Sequence, residues 1–451
     1  MKKSFSRRDF IKLAGVSAAG IAAAVALAAC SKKTDDTNEA ASADDRDAKV
    51  VFDNNSDAFD ISTLTADDIK DIKVGFIFLH DENSTYDKNF INAAVEACEG
   101  IGVPYILKTN IPEGQECYDA AAELVDEGCN IIFADSFGHE DYMIQAAKEC
   151  PEVEFCHATG TKAHTEGLAN YHNAFASIYE GRYLAGVAAG MKLQELADAG
   201  QLKGDAPKMG YVGAFTYAEV VSGYTSFFLG ARSVCPSATM IVKFIGSWGD
   251  PTMEAATAQD LIDNGCVLIS QHSDSTTPST TAQDNNKFHT GYNISMSDVA
   301  PEASIISSRI DWTNFFVKVI RAAVNGEAQD QDYIGHGLAD GDVKLTDLNT
   351  AVAAAGTEEA IEAARKAIES GERQVFDTST FTVEGAELTH AYAIDTDGDF
   401  EPKKSSCRLG LPQGLRHRPR RGQLRDRLRR PHRQVQGRRH RLRQGRRSRR
   451  P

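Results

Sequence analysis

No two of the nine cysteines stand in C-x-x-C spacing, and none has a histidine at a zinc-finger interval. Finger or ribbon metal sites and a thioredoxin-like redox pair are thereby excluded. The chain has no G-x-x-x-x-G-K-[ST] loop, no G-x-S-x-G elbow and no G-x-G-x-x-G at its first strand-to-helix turn. P-loop phosphoryl transfer, serine-hydrolase chemistry and dinucleotide reduction all lose their signatures. His157, His164 and His172 follow intervals that fit no helical or finger ligand set. We therefore expect no cofactor, no metal and no enzyme. Long apolar runs are also missing. The most apolar stretch, residues 13–29, is almost all Ala, Gly, Val, Ile and Leu, short and small-sided for a permanent span of about 20 residues.

That stretch follows Ser6, Arg7, Arg8, Asp9, Phe10, Ile11 and Lys12, which read as a twin-arginine export signal. It closes on Leu27, Ala28, Ala29 and Cys30, which resembles a lipoprotein processing site whose cysteine takes the lipid. Residues 1–30 are expected to be a removable lipoprotein signal, leaving the protein lipid-anchored through Cys30 on the outer face of the cell membrane; an uncleaved helical anchor would leave it on the same side. Residues 31–70 are dominated by Ser, Thr, Asp, Ala and Asn without period, a linker of roughly 35 Å r.m.s. span.

The charge is unevenly shared. Residues 407–451 hold eighteen Arg against the single acid Asp426, about +17, so a net charge of −15 leaves about −32 on the rest. Such a tail ordinarily points to nucleic acid or anionic membrane. Its lack of aromatics and of apolar period, and its abrupt change to Arg, Gly, Pro, Gln and His, read instead as out-of-frame translation, so no nucleic-acid partner is expected.

Between linker and tail, short apolar runs alternate with helical patterns. Strands are expected at 72–79, 103–107, 130–134 and 153–157, with helices at 89–100, 117–127 and 140–149. A long helix at 179–193, rich in Ala and Gly, opens a second series with strands at 209–212, 240–245, 267–271 and 288–292 and helices at 218–234, 251–264 and 277–284. This is an α/β chain of two Rossmann-like lobes with parallel sheets, because parallel strands need helical crossovers. Cys98, Cys129, Cys156 and Cys266 fall on apolar faces and read as inert core thiols, while export leaves a Cys150–Cys156 disulfide open.

Ligands of open parallel sheets sit beyond the carboxyl ends of the strands. There the first lobe offers Tyr86, Asp135, Ser136 and Phe137, and the second Phe215, Glu219, Trp248, His272, Asp274 and Asn293. Aromatic planes and scattered hydrogen-bonding groups suit a binding cleft better than a catalytic point. Bland alternatives stand beside them: Phe137 could plug a sheet end, Trp248 and Trp312 could be ordinary core or surface aromatics, and His272 could be a hydrogen-bonded strand terminus. Asp135 and Asp274 are stronger candidates, because a carboxylate ending a buried strand needs a partner.

Lys73-Val-Gly-Phe-Ile-Phe78, Phe133-Ala-Asp-Ser-Phe-Gly138, Tyr183-Leu-Ala-Gly-Val-Ala-Ala-Gly190, Gly210-Tyr-Val-Gly-Ala-Phe215 and Gln271-His-Ser-Asp-Ser275 resemble the basic membrane protein family of ABC-transporter substrate-binding lipoproteins over residues 72–395. The resemblance implies a type I periplasmic-binding-protein fold with a three-crossing hinge, a nucleoside or purine-like ligand, and an ABC permease and ATPase as partners of a monomer. A ligand-presenting sensor would use the same cleft, and an exported nucleoside-processing enzyme is the catalytic alternative. It also implies lobe 1 from 71–173 and 304–326, and lobe 2 from 174–303 and 327–400. Phe137 would stack on the ligand ring and Asp274 accept its hydrogen bonds, with Trp248 and Trp312 as weaker transfers. Ser84 stands where close relatives place an aromatic, and Asn293 where many carry Asp.

Overall fold

The computed structural model describes residues 64–202, 206–377, 382–383 and 386–387. The signal with Cys30, residues 31–63 of the linker and the arginine-rich tail lie outside the described residues. Five apolar runs form the first parallel ladder: Val74–Ile77 (β1), Tyr105–Lys108 (β2), Ile131–Ala134 (β3), Glu154–Ala158 (β4) and Tyr171–Phe175 (β5). β1, β3 and β5 are buried at every residue, as strands covered on both faces must be. The covers include the crossover helices Thr85–Ile101 (α1), Gln115–Asp126 (α2) and Glu140–Glu149 (α3). α1 starts earlier than the apolar period suggests because Ser84 caps it, its Oγ accepting from the Asp87 amide at 3.2 Å.

Ile178–Asp198 (α4) then leads to a second set of strands, Lys208–Gly213 (β6), Thr239–Phe244 (β7), Leu268–His272 (β8) and Phe288–Tyr292 (β9). Ala218–Val234 (α5), Pro251–Asp263 (α6) and Thr277–Asp284 (α7) connect them. α4 and α5 pack closely at glycines: a Cβ on Gly186 would stand 2.1 Å from the Phe227 carbonyl oxygen, and one on Gly230 2.0 Å from that of Tyr183.

The chain then passes between the sheets at other places than the expected lobe boundaries. Ser304–Ile310 (β10) pairs with β9 in the second sheet, whereas Thr313–Asn325 (α8) packs on α1 of the first. Asp332–Ile334 (β11) then joins β5 in the first sheet, and Val343–Leu345 (β12) runs antiparallel to β10 in the second. The wholly buried run at 304–308 needs partners on both sides; β9 supplies one, and β12 with the Thr346 and Asn349 amides that follow it supplies the other, so 304–310 belongs with the second sheet and 332–334 with the first. The strand orders are β11-β5-β4-β3-β1-β2 and β12-β10-β9-β8-β6-β7. Three crossings join them: before α4, before α8 and between β11 and β12.

Phe316 of α8 seals the first sheet, edge-on to Phe76 at 5.2 Å and to Phe133 at 4.7 Å. The seven cysteines among the described residues are buried free thiols, Cys150 and Cys156 included. Among the described residues no helix is long and apolar enough to cross a membrane.

Candidate functional site

The carboxyl ends of the two sheets meet around a narrow, partly open space of about 20 Å³, room for a water rather than for a ring, so a ligand would have to part the two sides. From the first sheet it is lined by Leu79 after β1, Tyr86 in the first turn of α1, Ser136 and Phe137 after β3, and Thr159 after β4. From the second come Glu219 in the first turn of α5, Trp248 after β7, His272 and Asp274 at the end of β8, and Tyr292 at the end of β9. The two sides touch directly: the Thr85 amide donates to the Asp274 carbonyl oxygen at 2.8 Å.

The apolar part is an aromatic set drawn from both sheets. The ring of Phe137 lies over that of Tyr217, 5.0 Å between centroids and 28° between planes. Tyr217 in turn neighbours Phe215 at 5.2 Å and Trp248 at 5.8 Å. Phe215 thus supports the aromatic set without lining the space itself. Tyr217, 43% exposed, is a rim aromatic that sequence reading passed over, because Phe215 carried the motif and Tyr217 reads as an ordinary residue before a helix.

The polar part has a definite charge pattern. Oε1 of Glu219 accepts from the Tyr292 hydroxyl at 3.2 Å and lies 3.3 Å from Nε2 of His272. Burial works to raise the Glu219 carboxyl, but the charge and hydrogen bond of His272 outweigh it, with Arg182 and Tyr292 adding, so it titrates below its ordinary value. Burial and the Arg182 charge push His272 the other way, below an ordinary imidazole. Glu219 is therefore an ionised carboxylate that accepts from the His272 ring and the Tyr292 hydroxyl. Oε2 has no donor among the described residues and is the oxygen left for the cleft.

Asp135 and Asp274 behave oppositely. Each is driven well above the carboxylate range, first by burial and then by the Asp87 charge. Asp135 does not line the space: its Oδ1 accepts from the Leu79 amide at 3.1 Å, its carbonyl oxygen accepts from the Tyr86 hydroxyl at 2.8 Å, and Oδ2 has no partner among the described residues. Ser136 lines the space while its Oγ donates to Glu113 at 2.6 Å.

Two further expected residues lie elsewhere. Trp312 stacks on Phe90 at 4.3 Å in the core of the first sheet, 2% exposed, because the turn before α8 directs it inward. Asn293 is buried with φ +68°, its amide donating to the Ser308 carbonyl oxygen at 2.8 Å, and it does not reach the space. Ser84 is a buried helix cap, so an aromatic face at this position is replaced by hydrogen bonding to Asp87. Among the described residues no group of three or more His, Cys, Asp or Glu could hold a metal ion.

Residues 74–375 match the profile described as ABC transporter substrate-binding protein, PnrA-like. A purine-binding protein of Brucella abortus is 34% identical over 280 residues, covering 61% of this chain and 75% of that protein. A Haloferax volcanii protein named as the glucose-binding protein of an ABC transporter is 36% identical over 197 residues, 44% of this chain and 46% of the relative. The solved structure of an ABC-transporter solute-binding protein from Conexibacter woesei superposes with a TM-score of 0.54 at 17% identity, covering 67% of this chain and 98% of that one; at that identity the likeness concerns the fold.

Proposed function

Because the chain belongs to the PnrA-like family of ABC-transporter substrate-binding proteins, we propose that it captures a purine or purine nucleoside in the cleft between its sheets and delivers it to an ABC importer. The observation that carries this reading is the meeting of Phe137 with Tyr217, backed by Phe215 and Trp248. A planar ring entering between the two sides would exchange one aromatic face for another, and base stacking on an aromatic contributes about 1–3 kcal/mol.

The polar groups suit a ring with donors on one edge and acceptors on another. Glu219 is a charged acceptor, whereas Asp274, held protonated by burial, supplies an O–H donor beside it. Thr159 and Ser136 add hydroxyls on the first-sheet side. The Brucella abortus relative is named for binding purines, which supports the same class. Lipid anchoring at Cys30 would keep the protein beside its permease, with residues 31–63 as the tether; Ala66–Ile69, expected in the linker, form instead a short helix that buries Ile69 in the core.

The test is calorimetric titration with adenine, guanine, adenosine, inosine and, in view of the Haloferax volcanii relative, glucose. Saturable binding of at least one purine, recovered unchanged after incubation, is expected. Binding of glucose alone would overturn the purine reading, and conversion of a nucleoside to base and sugar would overturn the transport reading in favour of an enzyme.

A further inference from the structure

α4 is buried on all sides through its first four turns, and in the middle of its glycines and alanines it carries one arginine, Arg182, 1% exposed. A fully buried guanidinium is costly unless its charge is met. Here Nη1 donates to the Gln271 carbonyl oxygen at 2.8 Å, while Nε and Nη2 have no hydrogen-bond partner among the described residues. Cζ lies 3.6 Å from the centre of the Tyr292 ring, within the range of a strong cation–π contact. The Tyr292 hydroxyl, at the edge of that ring, donates to Glu219 at 3.2 Å. Arg182 does not line the cleft; Tyr292 and Glu219 do.

We propose that Arg182 is a positioning residue for ligand recognition: from beneath the cleft, through the Tyr292 ring, it holds Glu219 as a fixed, charged acceptor facing the ligand. A cation against the ring face makes the phenol a stronger donor and supplies the countercharge that a buried carboxylate needs. His272, 3.3 Å from Oε1, also holds the Glu219 carboxyl down, but it titrates below an ordinary imidazole, so toward pH 8 Arg182 is the countercharge that remains. The other groups facing Glu219 are Tyr211 on β6, Asp274 after β8 and, across the cleft, Tyr86. None of them brings a positive charge. The inference rests on the cleft being the ligand site, and it predicts a property of the protein without ligand as well.

With its folded-state proton affinity lowered, Glu219 adds stability above its unfolded pKa of roughly 4.3, and that stability is lost as pH falls through the folded value. In Arg182→Met, His272 and the Tyr292 hydroxyl still oppose burial, so the depression of Glu219 shrinks and the stability it adds at higher pH falls. Thermal unfolding of wild type, Arg182→Met, Glu219→Gln and the double variant is followed between about pH 4 and 8. The gap between wild type and Arg182→Met should widen as pH rises, and should widen less in the Glu219→Gln background, where only the effect of Arg182 on His272 remains. A pH-independent gap, or the same widening without Glu219, overturns the proposal.

The ligand arm titrates adenine, guanine, adenosine and inosine into the same proteins and into Arg182→Lys at pH 8. Arg182→Met should bind at least roughly tenfold more weakly, with part of the loss restored by Arg182→Lys. Binding equal to wild type in Arg182→Met overturns the proposal. A wild type that binds none of the four overturns the purine reading instead, and the unfolding cycle still decides whether Arg182 sets the charge of Glu219.

Discussion

Phe137 and Tyr217 face each other across the cleft with ring centroids 5.0 Å apart and planes 28° from parallel, although 80 positions separate them and each is tethered to a different sheet. Neither ring is held on both faces by its own lobe. If this pair is the ligand's stacking position, Phe137→Ala should weaken purine binding by roughly tenfold to a hundredfold, about 1.4–2.8 kcal/mol, while leaving the fold intact. Calorimetric titration reads the loss, and an unchanged affinity would place the ligand elsewhere.

How much of this is visible in the amino-acid string depends on whether the signal is local. Alternating apolar runs and helical periods mark two parallel sheets, and the strand-end rule reaches Phe137, Glu219, Trp248, His272 and Asp274, which do converge. It misses Tyr292 by one residue: the strand 288–292 is legible, but whether its last side chain or the next one faces the cleft depends on the pleat, and Asn293 turns inward with positive φ instead. Trp312 misleads because it sits at a crossing between sheets, where a neighbour in another part of the chain, Phe90, decides its direction. Thr159 and Tyr217 carry no residue-type signal and gain their places only from the tertiary fold. Arg182 does leave a trace, an arginine among the Ala and Gly of a buried helix, yet its partner Tyr292 is 110 positions away.

Asp135 illustrates the sign of a raised carboxyl. Its folded-state pKa lies well above the usual value because of burial and the neighbouring Asp87 charge. The group therefore costs nothing below its unfolded pKa of about 3.9 and penalises the folded state increasingly as pH rises toward the folded value. Asp135→Asn, which keeps an oxygen for the Leu79 amide, should raise the melting temperature at pH 8 more than at pH 5. Thermal scans at the two pH values check this, and equal shifts would mean the carboxyl is paired in a way the burial argument misses.

The approach of α4 to α5 is set by backbone rather than side chains. Because a Cβ at Gly230 would meet the Tyr183 carbonyl oxygen at 2.0 Å, Gly230→Ala must separate the helices or distort them. A loss of about 1–3 kcal/mol is expected from such overpacking, despite the gain in helix propensity that Ala brings at an unhindered position. Urea unfolding monitored by circular dichroism measures it; a neutral or stabilised variant would show that the two helices can move apart freely.

Lipid on Cys30 would decide where the protein works. A single acyl chain binds membranes only marginally, whereas two chains on one residue anchor stably, each buried methylene contributing about 0.8 kcal/mol. If Leu27-Ala-Ala-Cys30 is a processing site, the mature chain should carry lipid on its first residue and fractionate with membranes. Cys30→Ala should then lose lipid labelling and, since residues 13–29 make a poor permanent span, pass into the soluble fraction with its cleft unchanged. Labelling with a radioactive fatty acid and fractionation of expressing cells measure both properties, and titration of the released protein confirms that the cleft survives. Retention of Cys30→Ala in membranes, together with an unlabelled wild type, would mean that residues 13–29 hold the protein as an uncleaved helix. The cleft would then still face the outside, but the tether would begin at a peptide anchor and the permease would meet a protein with no lipid.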